Sequence, residues 1–233
     1  MQQDNALRQF LLFAFVLLLP CFALWTLAAN PLAMPAVGLV DMLLKAWFPT
    51  IVDGLIFHGS DTVLLTNFGE LNGVAVPPEQ SEYQLAFAIN PGILSYSFPF
   101  YATLHFATQK KHYLGSFITG LCVLFPLFLL GLLSLCLKEL MVNLGQIFFR
   151  QEGVFVPNGN LIALFYQLNV LIVPTIAPIA LWIAQNRETT LLRSVFARWG
   201  NPGKIEPVPE APEQGTLLQG KGARSSSSAG DQQ

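Results

Sequence analysis

Residues 10–29 read FLLFAFVLLLPCFALWTLAA, twenty positions without one charged side chain. As a helix rising about 1.5 Å per residue, such a run reaches about 30 Å, the thickness of a bilayer's hydrocarbon core. It is read as a membrane-spanning helix, with Trp25 near its end suited to an interfacial position. The Ala28-Ala29 pair before Asn30-Pro31 makes no convincing small-x-small cleavage pattern, so the run is expected to be a retained anchor and not a cleaved signal.

Composition supports that reading. Hydrophobic residues make up 53% of the 233-residue chain and charged residues 11%, with a mean hydropathy of +0.51, whereas a soluble domain carries about 25% charge. The net charge of -2 comes without a clustered Lys/Arg face, which excludes a phosphate-backbone partner and with it nucleic acid.

Working outward from the first run, two more segments have spanning length and almost no charge. They are 113–137, bounded by Lys110-Lys111 and Lys138, and 161–184, bounded by Asn158-Gly159-Asn160 and Arg187. Pro174 and Pro178 should bend the latter, since each removes a backbone donor. A fourth run, 93–108, is uncharged but short for a crossing; parity assigns it one. The predicted fold is therefore mainly α and polytopic, with four transmembrane helices at about 10–29, 93–108, 113–137 and 161–184. Arg8, Lys110, Lys111, Arg187 and Arg193 then share one side, and only Lys45, Lys138 and Arg150 lie on the other. Lys and Arg are retained on the cytoplasmic side, so both termini are expected there and 31–92 becomes an extracytoplasmic insert.

Within that insert, Met34, Val37, Val40, Leu43, Leu44 and Trp47 recur at helical spacing beside Asp41 and Lys45, which predicts an interfacial or packing helix after the Pro31 break. Runs rich in β-branched and aromatic residues follow at 51–57, 62–68 and 83–89, with His58-Gly59-Ser60-Asp61 as a turn between the first two. Gly73 and Pro77-Pro78 mark a loop before the third. A small antiparallel sheet of two or three strands results, too small to stand without a packing partner. Leu140, Leu144, Ile147 and Phe148 suggest a second interfacial helix between the last two spans. The membrane domain is expected over 1–190 and a cytoplasmic tail over 191–233. The first part of the tail sets Leu191, Leu192, Val195 and Phe196 beside Arg193 and Arg198, suited to an anionic leaflet. Beyond about residue 200 the Pro, Gly, Glu and Ser content predicts disorder.

Chemistry-bearing patterns are few. There is no phosphate-binding loop, no His pair at metal-ligand spacing and no Cys beside a basic neighbour. Cys21, Cys122 and Cys136 sit in apolar runs as small hydrophobes. No catalytic, cofactor-binding or metal-ligating set is therefore assigned. Candidate partner contacts are His58 and Asp61 in the turn, Asn90 before the second span, and Tyr96 and Tyr101 near that span's outer end. Interface anchoring and interhelical hydrogen bonding are the competing roles for the tyrosines. Gln167 and Asn169 are candidate interhelical polar contacts, and the shortage of ionisable groups in the clear spans argues against an ion-coupled pump.

Phe22-Ala23-Leu24-Trp25, then Asn30-Pro31-Leu32, Trp47-Phe48-Pro49, Asn90-Pro91-Gly92 and Phe98-Pro99-Phe100 occur in an order that resembles the exosortase H-associated membrane protein family, over roughly residues 8–185. The resemblance implies a bacterial inner-membrane accessory protein. Its partners would be the lipid bilayer and a membrane sorting enzyme that processes proteins with a C-terminal sorting signal at the outer face. The enzyme of such a system is expected to carry Cys, Arg and His near that face. Here Cys122 and Cys136 share their span with no Arg, and Cys21 has only Leu, Pro, Phe and Ala around it, so an activated thiolate is unsupported. The expected function is a non-enzymatic accessory or scaffold subunit that contacts the enzyme or its substrate through the insert. The alternatives are a divergent membrane cysteine transpeptidase using Cys21, or a small transporter or channel subunit using Gln167, Asn169 and the two span prolines.

Overall fold

The computed structural model describes residues 2–58, 61–72, 74–108 and 113–187, together with Thr189 and Leu192. The Lys110-Lys111 loop and the tail from 193 onward, with its expected disorder, lie outside the described residues.

The first helix, α1 (Gln2–Trp47), runs 46 residues without a break at Pro31 or Pro35. The sequence suggested two helices there, because an interior proline costs about 3 kcal/mol or more. Burial outweighs that cost. Ala33, Ala36, Val37, Val40 and Leu44 form one buried face at helical spacing, and the two valines and the leucine alone contribute about 1.5–3 kcal/mol each. At about 1.5 Å per residue α1 is about 69 Å long, roughly twice a hydrocarbon core, so one end must project beyond it.

The projecting end carries the sheet. Strands β1 (Val52–His58), β2 (Asp61–Leu71), β3 (Val74–Val76) and β4 (Gln84–Ile89) form it, with β2 pairing antiparallel to each of the others. β3 was not predicted, because three residues are too few for a period-two pattern. It pairs with Gly69, Glu70 and Leu71 through a turn at Asn72, whose φ of 53° a short Asx side chain tolerates. His58 and Asp61 are the paired ends of β1 and β2 and flank the expected turn, whose Gly59 and Ser60 lie outside the described residues.

One sheet face, with Leu55, Leu64, Phe87 and Ile89, packs on the buried face of α1 and on the sheet-proximal half of α4 (Tyr113–Leu144). The apolar run expected to end at 137 thus continues as one helix to Leu144, followed by the short α5 (Gln146–Phe149). Asp41 fastens helix to sheet: one oxygen accepts the Leu55 N–H at 2.7 Å and the other meets Lys45 at 3.1 Å. Asp41→Ala leaves that edge amide unpaired and is expected to cost about 1–3 kcal/mol, measured as a lower midpoint of sheet unfolding in detergent; an unchanged midpoint would remove Asp41 from this role.

Among the described residues three helices are long and apolar enough to cross a membrane: Leu7–Pro31, Tyr113–Leu144 and Gly159–Asn186. Only 6% of the most apolar stretch of the first is buried inside the protein, so its surface needs an apolar solvent and the chain is a membrane protein. The third combines α6 (Gly159–Gln167), a wider π turn over Leu168–Ile172 and α7 (Val173–Asn186). The π turn sits where Pro174 withholds the donor that a regular helix would supply.

The segment expected as a further span is split into α2 (Gly92–Ser95) and α3 (Ser97–Ala107), and neither has spanning length. Trp25 of α1 stacks on Phe98 and its Nε1–H donates to Ser95 Oγ at 3.0 Å. Near the other end Phe10 and Ala107 share a cluster with Trp182. α3 therefore runs antiparallel to α1, from the level of Trp25 to that of Phe10.

Candidate functional site

The predicted contact residues do not converge on one surface. His58 and Asp61 face each other as the terminal pair of β1 and β2. Asn90, exposed after β4, folds back so that its Oδ1 accepts the Gly92 N–H at 2.9 Å and starts α2. The Tyr96 hydroxyl reaches Thr175 Oγ1 of α7 at 3.0 Å.

Tyr101 lies fully buried among α3, α4 and α7. Its hydroxyl is 2.8 Å from Gln185 Oε1 and 3.1 Å from the Ser116 carbonyl, which also accepts from Gln185 Nε2 at 3.0 Å. His105, likewise buried, donates Nε2–H to the Tyr113 carbonyl at 2.7 Å, because a carbonyl can only accept. These bonds tie three helices together at the end remote from the sheet. Of the predicted interhelical pair, Asn169 is buried and its Nδ2–H donates to the Phe165 carbonyl at 2.9 Å, within its own helix, while Gln167 is exposed.

Two concave surfaces among the described residues lie beside side chains with candidate chemistry. A 680 Å³ groove between α1, α3 and α4 is lined by Cys21, Trp25, Phe98, Ala102, Cys122 and Phe125 among others, nearly all apolar. The thiols are free, Cys21 half-exposed and Cys122 exposed, and their neighbours in the groove supply no base. A second hollow of 310 Å³ lies on the sheet beside Asp53, Glu82, Tyr83 and Gln84. There Gln84 Nε2–H donates to Asp53 Oδ2 at 2.8 Å and to the Thr66 carbonyl at 2.9 Å.

The larger unassigned surface is the sheet face turned away from α1. Ile56 lies opposite Val63, and Val63 opposite Ala88; Leu65 lies opposite Ala86, while Gly54 on its other side is buried against Lys45 and Asp41 of α1. Ile56 is 45% exposed; the Leu71–Val74 pair, 51% and 62% exposed, lies at the far end of β2 past a break in register. Sequence reading missed this face, although its signal was present. Strands such as Val63-Leu64-Leu65 and Leu85-Ala86-Phe87-Ala88-Ile89 are apolar at successive positions, the pattern of a strand covered on both sides.

Among the described residues no group of three or more His, Cys, Asp or Glu side chains gathers in metal-binding proximity. The family model described as exosortase H-associated membrane protein matches residues 4–189. No curated protein and no solved structure matches the chain.

Proposed function

Because this chain belongs to the exosortase H-associated membrane protein family, we propose that it is a non-enzymatic accessory subunit of an exosortase-type sorting system, contacting the enzyme or its substrate through the sheet. The observation that carries this reading is the sheet itself. It is held on α1 and α4 by one face, and on the other it leaves Ile56, Ala86 and Ala88 exposed around the half-buried Val63 and Leu65, which is the character of a surface awaiting a protein partner.

The same reading makes the chain a multi-pass protein of the bacterial inner membrane with both termini cytoplasmic and the sheet outside. Two features support it. Arg8 and Arg187 sit at helix ends remote from the sheet, and Lys110-Lys111 stand in the sequence between α3 and α4. The antiparallel course of α3 along α1 supports a return through the bilayer, which a helix shorter than a full span can make when neighbouring helices and its internal polar bonds satisfy its ends.

The test is co-purification with exosortase H in mild detergent, repeated after crosslinking in intact membranes. Stable association is expected. Absence of association in both formats would reject the accessory role. The rival cysteine transpeptidase rests on Cys21, whose groove offers no activating base. Cys21→Ala is accordingly expected to leave processing of sorted proteins unchanged, and loss of processing at normal abundance would favour the enzyme instead.

A further inference from the structure

The Leu55 N–H is spent on Asp41, away from β2. Leu55 opposite Leu64 is therefore a pair without mutual hydrogen bonds. Antiparallel ladders alternate, so the neighbouring pairs Gly54–Leu65 and Ile56–Val63 carry the bonds between β1 and β2. Val63 and Leu65 are thus committed to β1, and Thr62 and Leu64 turn their backbone groups to β4. Their partners there are Ile89 and Phe87. By the same alternation Ala86 and Ala88 direct their N–H and C=O groups to the outer edge of β4. Both residues are exposed, and no backbone partner for either beyond the ladder occurs among the described residues.

The sheet's two edges differ in a telling way. α1 covers the β1 edge through Asp41, whereas the β4 edge, Gln84-Leu85-Ala86-Phe87-Ala88-Ile89, carries no charge and no proline, and among the described residues no helix bonds to the backbone of Ala86 or Ala88. Sheet proteins ordinarily protect such an edge with one of those devices. An unprotected edge continuous with an exposed apolar face fits an added strand, whose backbone satisfies Ala86 and Ala88 and whose alternate side chains extend the row through Ala88, Val63 and Ile56.

Charge selects among strands. Residues 31–92 contain six carboxylates, against Lys45 as the one fixed cation. Of these, Glu79 and Glu82 are exposed immediately before β4. A second copy of this chain offers, over residues 31–92, no Lys or Arg other than Lys45, which is already paired with Asp41. We infer that the β4 edge receives an extended segment of a different protein, apolar at alternate positions and flanked by Lys or Arg that meets Glu79 and Glu82. This rests on the accessory reading and specifies how the contact is made.

The test uses the full-length chain co-expressed with exosortase H and a sorted substrate protein, each separately tagged, with a photo-crosslinking phenylalanine derivative at position 86 or 88. Adducts to one short Lys/Arg-flanked segment of the enzyme or the substrate are expected from both positions. Ala88→Lys, which leaves the β2–β4 ladder intact, and the pair Glu79→Lys with Glu82→Lys should each lower co-purification at least ten-fold. Hydrogen exchange of the Thr62 and Leu64 amides checks that the sheet persists in each variant. Wild-type co-purification by a folded Ala88→Lys chain would overturn edge pairing while leaving the accessory role standing, because association would then use another surface. Adducts formed only between copies of this chain would also overturn it. Loss of association in the unmodified chain would instead reject the accessory role itself.

Discussion

Gly120→Ala is expected to destabilise the helical bundle by about 3–5 kcal/mol, combining overpacking with the loss of buried hydrogen bonds. A Cβ at Gly120 would fall inside the van der Waals envelope of the Tyr101 hydroxyl and ring. Tyr101 has nowhere to retreat: it is fully buried and its ring stacks on Phe117 at 5.7 Å. Displacing it breaks the contacts to Ser116 and Gln185, which join α3 to α4 and α7. An SDS or thermal titration of the purified chain measures the loss. Tyr101→Leu in the Gly120→Ala background should recover part of it by restoring room. A loss below about 1 kcal/mol, the scale of one ordinary hydrogen bond, would mean that the helices separate there at little cost.

Phe48→Ala should cost a similar amount at the opposite end, about 3–5 kcal/mol for emptying a fully buried aromatic site. Phe48 is the corner where helix becomes sheet. Its ring lies 5.3 Å from Phe148, its N–H bonds to the Leu44 carbonyl at 2.7 Å, and its own carbonyl accepts from Ile51 and Val52. The cavity would loosen α1, β1 and α5 together. Limited proteolysis should then cut within 51–89 while the chain stays membrane-integrated, and association with exosortase H should fall with it. Phe10→Ala provides the contrast. It disturbs the remote cluster with Ala107 and Trp182 and should leave association intact. Equal loss of association in both variants would mean that partner binding does not depend on the sheet in particular.

These two sites differ in how visible they were in the sequence. Phe48 belongs to the Trp47-Phe48-Pro49 motif and follows an apolar helical stripe, so its importance could be anticipated. Gly120 could not, because an isolated glycine in an apolar run gives no sign of which side chain from another helix fills the space beside it. Tyr101 was read as a candidate partner contact from its place near a presumed outer end; its position in the bundle depends on contacts with residues 116 and 185. Asn169 was visible as a polar group in an apolar run, but its bond to Phe165 follows from the π turn that precedes Pro174.

Membrane residence, the long apolar helices and the presence of a small antiparallel sheet were determined by the sequence alone. Composition and periodicity are local properties, and a charge-free run of twenty residues leaves few alternatives. Tertiary structure decided the rest. Burial on the sheet kept α1 whole through two prolines, and neighbouring helices define the course of α3 although its own length is insufficient. Pairing with β2 created β3 from three residues. The free edge of β4 depended on it most fully. Which face of a strand is buried can be read from alternation, but which edge remains open depends on what packs beside it, here Asp41 of α1 on β1 and, among the described residues, no comparable bond on β4.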